Sequence, residues 1–177
     1  MSSPNIGNAT DGWIYAADNG CFNDNWDAGR WQSWLRTKRG ALFAVVPDVV
    51  ADARATRQRW DEWLPTVTDA GHIPAYVIQD GQDGVDVPWD EAGALFVGGS
   101  TQFKLSTTAE RLVAEARDRG LWAHMGRVNS FKRLATAARW GCQSADGTFL
   151  AFGPDVNTPR LLNWLYRLEN HPEMNFA

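Results

Sequence analysis

The sequence predicts an α/β fold, with parallel strands wrapped by helices in a reduced (β/α) barrel of the TIM type. Three observations carry this. Six short runs, at 14–17, 42–46, 74–78, 95–97, 121–125 and 142–145, are almost continuously apolar, as suits strands buried on both faces of a parallel sheet. Amphipathic stretches alternate with them. The runs start about 20–32 residues apart, the length of βα units with right-handed crossovers. A closed eight-stranded barrel takes about 250 residues. The 177 residues here leave room for a pared-down barrel or an open α/β sheet, in a single domain spanning 1–177.

After the first strand, Trp31, Trp34 and Leu35 recur at helical spacing within 26–38. After the second, Trp60, Trp63 and Leu64 do the same within 50–64, and Pro65 is expected to stop that helix. The third strand leads into 80–92, polar and broken by glycine and proline, which reads as a long loop. Beyond the fourth, Thr107-Thr108-Ala109-Glu110 has the form of a capping box. It opens a helix that ends near Arg119 with Gly120 as its stop. After the fifth, Ser130 caps a helix with Phe131, Leu134, Ala135 and Ala138 on one face and Gly141 at its end. A last helix is expected over 159–169.

The composition, 44% hydrophobic and 21% charged, is that of a globular chain. No run reaches the ~18 apolar residues of a membrane span. Residues 1–5 have neither the basic nor the apolar region of a signal peptide. A cytoplasmic protein with Cys21 and Cys142 as reduced thiols is the expectation. His72, His124 and His171 have no metal-ligand spacing, so neither a metal nor an organic cofactor is expected. Net charge is −4, but residues 101–177 carry 10 Lys/Arg against 7 Asp/Glu, whereas residues 1–100 carry 7 against 14. Arg127, Lys132 and Arg133 fall in the basic part. They suit phosphate contact or an ordinary solvated helix face.

In α/β folds chemistry gathers at the C-terminal ends of the strands. Asp18-Asn19-Gly20 follows the first run, Asp48 the second, Gln79-Asp80-Gly81 the third and Gly98-Gly99 the fourth. The fifth ends in His124-Met125-Gly126-Arg127 and the sixth in Asp146-Gly147. Converging carboxylates let one group attack an anomeric carbon, another carry a proton, and a third hold a base by its N–H groups. Glycines admit a flat base against the backbone. Taken singly, each of these residues also suits a turn or a helix N-cap, and His124 suits a core position beside the site.

In order along 14–150, these motifs resemble the catalytic barrel of the tRNA-guanine transglycosylase family, which exchanges guanine for a 7-deazaguanine. Asp18-Asn19-Gly20-Cys21-Phe22-Asn23 is similar to its D-S-G-G-F-Q loop, and Val77-Ile78-Gln79-Asp80-Gly81 to its V-Q-G-G strand end. Gly98-Gly99 resembles its base-binding glycine pair and His124-Met125-Gly126-Arg127-Val128 its L-M-G-V-G segment. Gly141-Cys142-Gln143-Ser144-Ala145-Asp146 resembles G-V-D-M-F-D, whose last aspartate is the nucleophile. The resemblance implies Asp146 as nucleophile and Asp18 as acid/base. It implies Asp48, Gln79, Gly98, Gly99 and Met125 as base-binding residues.

The departures are specific. Two cysteines cannot supply the family's three-cysteine, one-histidine zinc motif, so no zinc-binding subdomain is expected. Gly147-Thr148-Phe149-Leu150 stands where the family carries an arginine-rich stretch that reads tRNA, and Asp80 replaces the second glycine of V-Q-G-G. The chain is also far shorter than that family's members. It resembles more closely the compact branch carried by phages and genomic modification islands, which inserts 7-deazaguanines such as preQ0 into DNA.

The expected function is therefore a DNA base transglycosylase, a pentosyltransferase acting through a covalent aspartyl-sugar intermediate. Its substrates would be DNA and a 7-deazaguanine base. A partner subunit or homodimer would add grip on DNA, and a phage-encoded chain would work in the host cytoplasm. With water as acceptor, the same carboxylates give an N-glycosidase or nucleoside deoxyribosyltransferase. A barrel that has lost its chemistry gives a non-catalytic DNA-binding subunit. Both enzyme readings need Asp18 and Asp146 to face one pocket, as they would if the barrel brought its first and last strands together, and base exchange against base loss separates the two.

Overall fold

The computed structural model describes residues 1–4, 12–21 and 26–170. Phe22, Asn23 and His171 lie outside the described residues. Five parallel strands form one sheet in chain order: β1 (Ala44–Val45), β2 (Pro74–Ile78), β3 (Ala94–Val97), β4 (Trp122–Met125) and β5 (Ser144–Ala145). Single parallel bridges add Ala17 beside Ala44, and Ser2 beside Ala17. Between and after the strands run α1 (Ala28–Leu35), α2 (Ala53–Asp69), α3 (Thr107–Asp118), α4 (Phe131–Trp140) and α5 (Pro154–Asn170). All six apolar runs enter the parallel array, the first through Ala17 alone.

The sheet is curled into a half-barrel. Phe43, just before β1, holds its ring 5.5 Å from that of His124 on β4. Three strand spacings of a flat sheet would separate them by about 14 Å. The described strands do not close a full barrel. Two of them are only two residues long, and the first segment pairs through one residue.

Period-two alternation sorts the strand residues onto two faces. Ala44, Val46, Tyr76, Ile78, Leu95, Val97, Ala123 and Met125 belong to the main core beneath the helices, with α2 packed on β2 and α3 on β3 and β4. Ala16, Phe43, Val45, Ala75, Val77 and Ala94 form a second cluster on the concave face, with Phe96 and Trp122 against it.

Several helix boundaries differ from the sequence expectation: α1 covers only Ala28–Leu35 of 26–38, and α2 opens at Ala53 rather than 50. Helix α2 runs through Pro65 to Asp69. The missing N–H removes one helical hydrogen bond, yet the added turn buries Val67 completely. Ser106, one residue ahead of Thr107, caps α3 by accepting from the Ala109 N–H at 3.2 Å. Helix α5 opens at Pro154 rather than Pro159, since proline at a first helical position loses no intrahelical bond. Ser130 and Gly141 bound α4, with Gly141 at φ +78°. The 80–92 segment contains only the short turn Gln82–Gly84. Among the described residues no helix is long and apolar enough to cross a membrane, and Cys21 and Cys142 are free thiols.

Candidate active site

The alternation of the concave face continues past the strand ends. Ala16 is followed two residues on by Asp18, Val77 by Gln79, Phe96 by Gly98, His124 by Gly126 and Ser144 by Asp146. The register aligns Ile78 with Val97, Val97 with Met125, and Met125 with Ala145. The next residue on each strand, Gln79, Gly98, Gly126 and Asp146, therefore stands on one level of the rim. These four line a cavity of about 650 Å³ together with Asp18, Asp48 and Gly99. Small-molecule sites are roughly 300–1,000 Å³.

Two aspartates in this cavity differ in ionisation. Burial, followed by the charge of Asp146, raises Asp18 to about 6. Burial would raise Asp146 as well, but His124 and the Arg127 N–H outweigh it and hold that carboxyl below its ordinary value. The Arg127 N–H donates to Asp146 Oδ1 at 2.8 Å. His124 Nε2 is 3.7 Å from the same oxygen, an electrostatic contact too long for a hydrogen bond. On its other side, His124 Nδ1 is 2.8 Å from Ser144 Oγ, which accepts from Trp122 Nε1 at 2.8 Å. A carboxylate facing Nε2 favours a proton there. With the proton on Nε2, Nδ1 can accept from the Ser144 hydroxyl. The chain Trp122–Ser144–His124 thus points an N–H at Asp146.

Asp48 is held by two amides. Asn19 Nδ2 donates to its Oδ1 at 2.7 Å, and Gln79 Nε2 to its Oδ2 at 2.6 Å. Burial raises Asp48 above its usual range against the pull of Asn19 and Arg59. Gln79 is itself fixed, because its Oε1 accepts from the Ala51 N–H at 2.9 Å. Ala51 and Arg127, at φ +62° and +55°, are the two non-glycine residues in the left-handed region among those described. Each directs its N–H into the site, Ala51 to Gln79 and Arg127 to Asp146, an investment of about 1–3 kcal/mol of backbone strain apiece.

Glycine forms one wall by necessity. A Cβ on Gly98 would lie 2.6 Å from Val77 Cγ1 and 2.9 Å from Gln79 Nε2, and one on Gly126 would lie 2.5 Å from the Phe96 ring.

Asp146, Asp18, Asp48, Gln79, Gly98, Gly99 and Arg127 are brought together around the cavity. Met125 is not among its lining residues. Its side chain is fully buried in the main core, because alternation turns His124 and Gly126 inward and Met125 toward the helices. Lys132 is exposed on α4 and away from the cavity. Arg133 acts on Arg127, donating from Nη1 to its carbonyl at 2.7 Å.

Phe96, Phe152 and Lys104 are among the lining residues that the sequence did not single out. Phe96 was visible as an inward strand position. Phe152, 78% exposed, stands just before Gly153-Pro154. Lys104 sits in a short turn where a lysine ordinarily reads as solvated, yet it is 1% exposed. Burial, then Arg127 and Arg133, lower it to about 8. Among the described residues no cluster of three or more His, Cys, Asp or Glu is arranged to hold a metal ion.

Comparisons with protein-family models, with curated proteins and with solved structures find no match for this chain. The chemistry of the site rests on its own geometry, two carboxyls on one cavity, of which Asp18 is raised to about 6 and Asp146 is held below its ordinary value.

Proposed function

We propose that this chain is a base transglycosylase that exchanges guanine for a 7-deazaguanine in DNA, on a reduced barrel and through a covalent aspartyl-sugar intermediate. The observation that carries the reading is the pairing of Asp146 and Asp18 on one cavity with divided ionisation. Glycosyl exchange uses that division, since it needs a charged nucleophile and a separate proton carrier. The choice of guanine and of DNA rests on the sequence motifs and on the departures described above.

In the first step an Asp146 oxygen bonds to C1′ as the C1′–N9 bond breaks. The bonding pair goes to the departing guanine, which takes a proton from Asp18. In the second step the incoming 7-deazaguanine gives its N9 proton to Asp18 and attacks C1′, releasing the Asp146 carboxylate. Asp48 accepts from the N–H groups of the base edge. Each of its oxygens has spare acceptor capacity beyond the amide it already holds. The wall of Gly98, Gly99 and Gly126 takes the flat face of the base. A target in duplex DNA would first leave the stack, at a cost of a few kcal/mol.

The test is nucleoside mass spectrometry of DNA incubated with the protein and a 7-deazaguanine, with labelled guanine as a second acceptor. Incorporation of either base supports the proposal. Base loss without incorporation would assign the carboxylates to an N-glycosidase. Neither reaction would favour a non-catalytic DNA-binding subunit.

A further inference from the structure

We infer that Lys104 and Arg127 form a phosphate site in the wall of the cavity, taking a phosphate of the nucleotide whose sugar faces Asp146. The assignment to that nucleotide rests on the function proposed above. The anion site itself rests on the geometry alone.

Two cations converge on one carbonyl. Lys104 Nζ donates to Gly99 O at 3.0 Å, and Arg127 Nη2 to the same oxygen at 2.8 Å. Both residues line the cavity. Lys104 is 1% exposed. Among the described residues Gly99 O is the one hydrogen-bond partner of its Nζ, and no carboxylate lies within ion-pair distance of that atom. Two of its three donors are therefore unspent in a buried position, where an ammonium is ordinarily paired.

Asp80 and Asp146, the carboxylates whose charges act on Lys104, make their hydrogen bonds to other groups. Asp80 Oδ2 accepts from the Ser100 N–H at 2.7 Å and its Oδ1 from the Ser100 hydroxyl at 2.6 Å. Asp146 is engaged by the Arg127 N–H. The groups acting on Lys104 are Arg127 and Arg133, which repel it, and Asp146 and Asp80, which attract it. A tetrahedral oxyanion would supply acceptors to the ammonium and the guanidinium at once, as charge-assisted bonds. Arg127 ties that site to the nucleophile, because its guanidinium meets Gly99 O beside Lys104 while its N–H holds Asp146.

The test compares wild type with Lys104→Met, which keeps the length of the buried stem without the charge. Thermal unfolding is followed in inorganic phosphate and in chloride at equal ionic strength. Phosphate should raise the wild-type midpoint by mass action and leave Lys104→Met unmoved. No rise in wild type, or the same rise in both proteins, overturns the site. Calorimetry with dGMP and deoxyguanosine then tests its link to the substrate. Wild type should bind dGMP about tenfold or more tightly than deoxyguanosine, the worth of a charged hydrogen bond, and Lys104→Met should bind the two alike. Deoxyguanosine binding with no preference for dGMP would overturn the assignment of the site to the nucleotide's phosphate and leave the base reading standing. A phosphate effect with no binding of either guanine compound would keep the anion site and remove the base reading. If Lys104→Met does not fold, Arg127→Asn carries the same comparison, since asparagine tolerates the left-handed backbone at 127.

Discussion

Asp18 and Asp146 stand near the two ends of the parallel series, yet the Asp146 charge is second only to burial in raising Asp18 to about 6. In a flat sheet the segments that carry them would be about 24 Å apart. The curl of the half-barrel brings the two carboxyls near enough for one charge to act on the other.

That relationship fixes opposite stability effects for two similar substitutions. The folded-state value of Asp18 lies above its ordinary 3.8. Its contribution is full below about pH 4 and is lost as pH rises through about 6. Asp18→Asn removes a charge that the fold disfavours. It should stabilise the protein at pH 8 by on the order of 1–2 kcal/mol after allowing for partial exposure, and change little at pH 4. Asp146 is held below its ordinary value, so its contribution is present above that value and is lost as pH falls. Asp146→Asn should destabilise at pH 8. Urea denaturation at the two pH values reads both signs.

The first chemical step should need a protonated Asp18 and a charged Asp146. Single-turnover guanine release is expected to fall about tenfold per pH unit above pH 6, the response to one ionisation. In Asp18→Asn that limb of the profile should flatten at a lower rate.

Asp48→Asn should weaken guanine binding by on the order of 1–3 kcal/mol. An amide has one acceptor oxygen, and its NH2 would face either Asn19 or Gln79, each already presenting a donor. Unchanged guanine affinity by calorimetry would take Asp48 out of base recognition.

Gly98→Ala should destabilise by about 1–3 kcal/mol through overpacking against Val77. It should also cost guanine affinity, because the added methyl would press on the Gln79 amide that holds Asp48. Denaturation midpoint and guanine titration on one preparation separate the two effects.

The legible part of this site lies on strands. Apolar runs marked each strand, and their polar ends at Asp18, Gln79, Gly98 and Asp146 follow from parallel packing, which leaves chemistry to the C-terminal rim. Met125 shows the limit of that reading. A motif match is blind to strand parity, and one residue of offset sends a side chain to the opposite face. Lys104 was hidden for another reason. Its buried ammonium is met by the Gly99 carbonyl, a contact that no periodicity encodes. The run through Pro65 was hidden because burial of Val67, a tertiary effect, overrides a local stop signal.

The central claim is that Asp146 carries the sugar between two bases, and trapping the adduct tests it most directly. DNA containing the target guanine is incubated with wild type, Asp18→Asn and Asp146→Asn without an acceptor base, quenched in denaturant, and digested for peptide mapping by mass spectrometry. A DNA–protein adduct on the peptide containing residue 146 is expected in wild type, at reduced yield in Asp18→Asn, and absent from a folded Asp146→Asn. An adduct that persists in Asp146→Asn, or that maps to a peptide without residue 146, would contradict the assignment.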